Sequence, residues 1–92
     1  MQSTFETLRE IIIEVCEVSA DDIRPGVHLL QLGVDSLEFL DIVHGIDQRF
    51  NVSVPVADWI AAINRGEPDS RYFVIDRLVE HVDALAAQAA SS

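Results

Sequence analysis

Ser36 is the residue of this chain best placed to do chemistry. It lies in the stretch Leu32-Gly33-Val34-Asp35-Ser36-Leu37-Glu38-Phe39-Leu40, where a turn on Gly33 runs into a helix start. Asp35 is a good N-cap, and Glu38, three residues on, completes a capping box. Both carboxylates suit the positive end of a helix dipole. Ser36 is therefore expected as a surface hydroxyl in the first turn. Free N–H groups and the dipole make such a position favourable for a phosphate ester. A prosthetic arm on Ser36 would make the domain a carrier, with the neighbouring residues as a handle for visiting enzymes.

Other chemistries fit less well. Gly33-Val34-Asp35-Ser36-Leu37 resembles the Gly-Asp-Ser-Leu motif of a lipase family, with one residue too many between Gly and Asp. A hydrolase needs a base and an oxyanion hole around its serine. Asp76 and His81 lie on an exposed-looking part of the last helix, and no sheet carries a nucleophile elbow. The reading is of a protein that is not an enzyme. His28, His44 and His81 share no metal-ligand spacing with each other or with Cys16. Asp35, Glu38, Asp41 and Asp47 match no calcium loop, so no metal is expected. Cys16, the single cysteine, excludes an internal disulfide and reads as a buried small apolar residue.

The charge balance narrows the partners. Six arginines, no lysine and 16 acids give a net charge of -10, a surface that repels nucleic acid and anionic membrane. Between Pro25 and Gln48 there is no basic residue, while Asp35, Glu38, Asp41 and Asp47 all fall there. An acidic docking surface for proteins bearing arginine and lysine patches is the reading favoured over plain solvation. Apolar residues make up 49% of the chain, which is globular in character. No run is long enough to cross a membrane and no signal-peptide pattern is present. One cytoplasmic domain over residues 1–92 is expected, without direct membrane insertion.

The elements that must position Ser36 follow from hydrophobic periodicity at roughly 100° per residue. Ser3, with Glu6, caps a first helix whose buried stripe is Phe5, Leu8, Ile12 and Val15, with Ile11 and Cys16 beside it. It is expected to end near Val18 or Ser19. Residues 19–34 form a long connection whose Ile23, Val27, Leu29, Leu30 and Leu32 are too apolar for a free linker. It should pack across the helices, with a helical turn at Ala20 to Ile23. The second helix spans Ser36 to Phe50. Phe39, Ile42, Val43, Ile46 and Phe50 form its core face, with Glu38, Asp41, Gly45, Gln48 and Arg49 opposite or beside it. Leu37 projects away from that face, next to Ser36 and flanked by acids. Val54-Pro55 opens a third helix with Val56, Trp59, Ile60 and Ile63 inward, and Gly66 ends it. Asp69 or Ser70 caps a last helix with Tyr72, Ile75, Leu78, Val79, Val82 and Leu85 inward. A tail from about residue 87 is expected to fray. The fold class is all-α: a four-helix bundle with a long loop between helices 1 and 2.

The motif around Ser36 resembles the attachment motif of acyl carrier proteins, Leu-Gly-x-Asp-Ser-Leu followed by an acidic residue. The likeness extends over roughly Phe5 to Leu85, including Phe50 at the end of helix 2 and Pro55 at the start of helix 3. The resemblance implies that Ser36 carries 4′-phosphopantetheine, that Asp35 assists its transfer, and that an acyl chain rides on the arm as a thioester. It implies docking through Leu37, Glu38, Asp41, His44 and Asp47. It also implies an acyl cavity, for which Phe39, Leu40, Val43, Ile46, Trp59, Ile60 and Ile63 are the candidates. Implied partners are a phosphopantetheinyl transferase, the ketosynthases, reductases and dehydratase of fatty acid synthesis, and an acyltransferase, each with basic docking patches. A monomer is expected.

Between Phe50 and the last helix the chain is longer than common fatty-acid carriers. It has Phe39 at a usually small aliphatic position, and His44 where an apolar contact is common. With Trp59, Asn64-x-Gly66 and Tyr72-Phe73-Val74, it resembles the specialised carriers that deliver very-long-chain hydroxy fatty acids to lipid A in some alphaproteobacteria. Two alternatives stay open: a carrier of aminoacyl or polyketide units, and an unmodified acidic helical adaptor.

Overall fold

A computed structural model describes residues 3–91. Helix α1 spans Thr4–Cys16. The Ser3 hydroxyl oxygen accepts the Glu6 N–H at 3.2 Å, as an N-cap should. The helix ends earlier than the periodicity implies. Glu17 turns into the left-handed region (φ 54°) and its N–H donates to the Ile13 carbonyl.

The long connection is packed down, as its apolar residues require. Ile23, Leu29 and Val34 are buried. It holds two 3-10 turns, one expected (Ala20–Asp22) and one not (Leu29–Leu32). His28 builds the second. Its Nδ1 accepts the Leu30 N–H at 3.1 Å, while its own N–H donates to Gln31 Oε1 at 3.0 Å. Gly33 closes that turn at φ 80°, which glycine adopts without steric cost.

Helix α2 covers Ser36–Phe50, the span given by its caps and its stripe. Phe39, Ile42, Val43 and Ile46 are buried. Gly45 was expected off the core face and instead lies against α1. A Cβ built there would come within 2.8 Å of Ile11 Cγ2, so the missing side chain lets the two helices approach. Arg49 pairs with Glu10 at 2.9 Å across the same contact.

Helix α3 spans Val56–Asn64 with Pro55 at its N-cap. Its end is a Schellman motif: Gly66, at φ 106°, donates to Ile63 and Glu67 donates to Ala62. Trp59 and Ala62 face inward, whereas Ile60, expected inward, is exposed.

The expected continuous last helix is broken. A one-turn helix α4, Ser70–Phe73, is followed by extended Val74 and then by α5, Ile75–Ser91. Val74 pairs in antiparallel fashion with His28. The first N–H groups of α5 then donate to the loop: Ile75 to Val27 at 3.0 Å and Asp76 to Pro25 at 2.8 Å. The break lets the loop's carbonyls satisfy a helix start that would otherwise lack partners. The helix continues through Ser91, beyond the point where fraying was expected. Among the described residues the bundle thus has four long helices and one short one, around a core that includes Leu8, Ile12, Leu29, Ile42, Ile46, Ile75, Leu78 and Val82.

Candidate functional site

Ser36 is the first residue of α2 and is exposed. Asp35 Oδ1 accepts the Glu38 N–H at 2.8 Å, and the Glu38 carboxylate accepts the Asp35 N–H at 3.3 Å. This closed capping box fixes the backbone on both sides of Ser36 while leaving its hydroxyl at the surface.

Beside Ser36 opens a cavity of about 470 Å³. Asp35 and Ser36 line it together with Leu29, Leu30, Val34, Phe39, Leu40, Ile60, Ile63, Asn64 and Phe73. Its rim carries apolar side chains open to solvent: Leu30 at 59% exposure, Leu40 at 44% and Ile60 at 43%. Its deeper wall is buried Leu29, Val34 and Phe39. An anion-friendly helix start and an apolar hollow therefore share one opening. That combination suits a group with a charged attachment point and a greasy end.

Four of the seven sequence candidates for such a cavity line it: Phe39, Leu40, Ile60 and Ile63. Val43, Ile46 and Trp59 do not. Val43 and Ile46 are packed in the core. Trp59 stacks on Tyr72 at 5.2 Å and lies 5.0 Å from the His81 ring. Leu29, Leu30, Val34, Asn64 and Phe73 were missed. Apolar Leu29 and Leu30 in a long loop were the available signal, but nothing local aimed them at Ser36.

The docking candidates divide. Leu37 is 73% exposed, and Asp41 and His44 are also at the surface. Spaced by three and four residues, these share a helix face that begins beside Ser36. Glu38 is half-buried and held in the capping box. Asp47 is half-buried and accepts the Val54 N–H at 2.8 Å, so its carboxylate serves the α2–α3 connection first.

Cys16, expected to be buried, is only half-buried, close to the same acidic helix start. Burial, then the charge and hydrogen bond of Glu38, then Asp35 and Asp41 push its thiol up to about 11. A thiolate there is disfavoured, in keeping with a structural role. His81 Nε2 lies 3.2 Å from the Arg71 carbonyl. Among the described residues no group of three His, Cys, Asp or Glu side chains could hold a metal ion, and no helix is long and apolar enough to cross a membrane.

The family model of the phosphopantetheine attachment site matches residues 6–63, which include Ser36 and the rim of the cavity. The acyl carrier protein AcpXL of Brucella melitensis is 42% identical over 89 residues, covering 95% of this chain and 96% of that protein. The chain belongs to the acyl carrier proteins. The AcpXL of Mesorhizobium japonicum is 40% identical over the same length. The acyl carrier protein of Helicobacter hepaticus is 26% identical over 53 residues, 56% of this chain and 70% of that protein. The carrier's likeness to the AcpXL proteins thus spans nearly the whole chain, whereas its match to the Helicobacter protein covers little more than half of it.

As a member of this family the acyl carrier protein bears covalent 4′-phosphopantetheine, and it meets a phosphopantetheinyl transferase and acyl-handling enzymes. The residues present suit that group. A helix-start hydroxyl in reach of solvent can take its phosphate, and the adjoining apolar hollow can take what hangs from its far end.

Proposed function

We propose that Ser36 is the attachment residue, and that the cargo is a very-long-chain fatty acid, hydroxylated and destined for lipid A. The observation that carries the reading is the exposed Ser36 hydroxyl on the rim of the apolar cavity. The likeness to AcpXL proteins along nearly the whole chain supports the choice of cargo.

When bound, the arm supplies a thiol that holds the acyl group as a thioester. The protein's own residues do the rest. Ser36 Oγ gives up its proton and forms the new P–O bond as adenosine 3′,5′-bisphosphate leaves coenzyme A. Asp35, already fixing the helix start, assists there. The N–H groups of the first turn face the resulting phosphodiester charge. Leu37, Glu38, Asp41 and His44 present the carrier to basic partners, with Asp47 adding charge from its half-buried position. Electrostatic pairing speeds encounter, and tethering raises the cargo's effective concentration at each enzyme. The carrier itself catalyses nothing and works in the cytoplasm. Its partners are ketosynthases, reductases, a dehydratase and a final acyltransferase. The longer, Trp59-bearing stretch between the third and fourth helices gives room for a longer chain by opening with the bundle.

The test is priming in vitro. Coenzyme A and a phosphopantetheinyl transferase should add one phosphopantetheine to the wild-type protein and none to Ser36→Ala, whose fold should be unchanged by circular dichroism. No gain on the wild type, or an equal gain on the variant, would overturn the assignment.

A further inference from the structure

The cavity does not simply run on into the core. Its buried wall includes Phe39, whose ring meets Phe73 at 4.6 Å between centroids and 56° between planes. Phe73 also forms a T-shaped pair with His28, at 5.9 Å between centroids and 87° between planes. Next to Phe73 in the chain lie buried Tyr72 and, beyond Val74, fully buried Ile75. Both rings line the cavity, so an acyl chain entering past exposed Leu30, Leu40 and Ile60 runs against this pair.

The two rings differ in freedom. Phe39 is buried and springs from the first turn of a 15-residue helix. Phe73 is half-buried and ends a four-residue helix, after which the backbone at Val74 is extended. Phe73 packs against the core from a partly exposed position, whereas Phe39 is buried within it and anchored in the main helix. Each methylene that leaves water favours burial. A sufficiently long chain can therefore outweigh the contact between two rings.

Resting on the assignment of this cavity to the acyl chain, we propose that the Phe39–Phe73 pair is a length gate and that Phe73 is its moving part. Short chains stop against the rings. Long ones displace Phe73 and continue past it, so this residue sets which chain lengths the carrier shelters fully.

The experiment loads the protein with a transferase and acyl-coenzyme A thioesters of graded length, from medium to very long. The rise in melting temperature over the unacylated holo-protein is read against chain length. In the wild type the gain per added carbon should drop at the length that reaches the rings and recover beyond it. In Phe73→Ala the gain should continue through that length without a drop. Phe73→Leu, which keeps apolar bulk, should show a smaller drop and stands in if the alanine variant does not unfold cooperatively. The same drop at the same length in the variants would overturn the gate, as would a uniform loss at every length, which marks a merely structural residue. If no acyl group of any length stabilises the wild type, the cavity assignment fails and the gate with it.

Discussion

Asp47 Oδ1 accepts the backbone N–H of Val54 at 2.8 Å, tying the last turn of α2 to the segment that leads into α3. A carboxylate on the acidic face is thus committed to holding two elements together. Charge-assisted hydrogen bonds of this kind are worth about 1.5–3 kcal/mol. Asp47→Ala should lower unfolding free energy by about 2 kcal/mol, with Asp47→Asn losing less. Urea denaturation of the two variants checks this; equal stability of all three proteins would contradict it.

Gly45 predicts a second stability effect. Alanine is the better helix former by about 1 kcal/mol. Its Cβ would nevertheless fall 2.8 Å from Ile11 Cγ2, in the contact between α2 and α1. Overpacking of this kind costs about 1–3 kcal/mol. Gly45→Ala should therefore be net destabilising, and Ile11→Ala in the same chain should make the second substitution favourable. A double-mutant cycle measures the coupling.

Cys16 gives a pH signature. Its thiol moves from an ordinary value of 9.0 to about 11 in the folded protein, chiefly by burial and then by Glu38. Between those values the unfolded chain releases the proton while the folded one keeps it. Stability from this group is thus fully present below pH 9 and falls as pH rises towards 11. Cys16→Ala should flatten that decline in urea midpoints measured across the alkaline range. At pH 8, iodoacetamide should alkylate Cys16 of the unprimed protein about a hundredfold more slowly than a free thiol, in proportion to thiolate.

Docking is expected to follow exposure. Leu37, Asp41 and His44 are open to solvent, while Asp47 is committed elsewhere. Asp41→Arg should slow association with a basic partner by on the order of tenfold at low salt. The effect should shrink as ionic strength rises. Leu37→Ala should act mainly on dissociation. Stopped-flow association with the transferase at two salt concentrations separates them.

Much of this is legible in the sequence. The α2 boundaries follow from Asp35, Glu38 and the Phe39–Ile42–Val43–Ile46 stripe, all local signals. The exposed Ser36 and Leu37 follow from the same few residues. The break at Val74 was not legible, because it comes from pairing with His28 far along the chain. Periodicity marked Val43, Ile46 and Trp59 as buried but could not say that they fill the core rather than line the cavity. Phe73 looked like one more helix residue, and its ring contact with Phe39 comes from a different part of the chain. Gly45 was misplaced because a glycine adds nothing to a hydrophobic pattern, whereas its packing against Ile11 depends on the partner helix.

The central claim is that Ser36 mounts an arm that carries a long acyl chain. Tandem mass spectrometry of the protein isolated from its own cells tests it most directly. The account predicts one phosphopantetheine on the peptide containing Ser36, part of it bearing a very-long-chain hydroxyacyl thioester. An unmodified Ser36, or an arm charged only with aminoacyl or polyketide units, would contradict it.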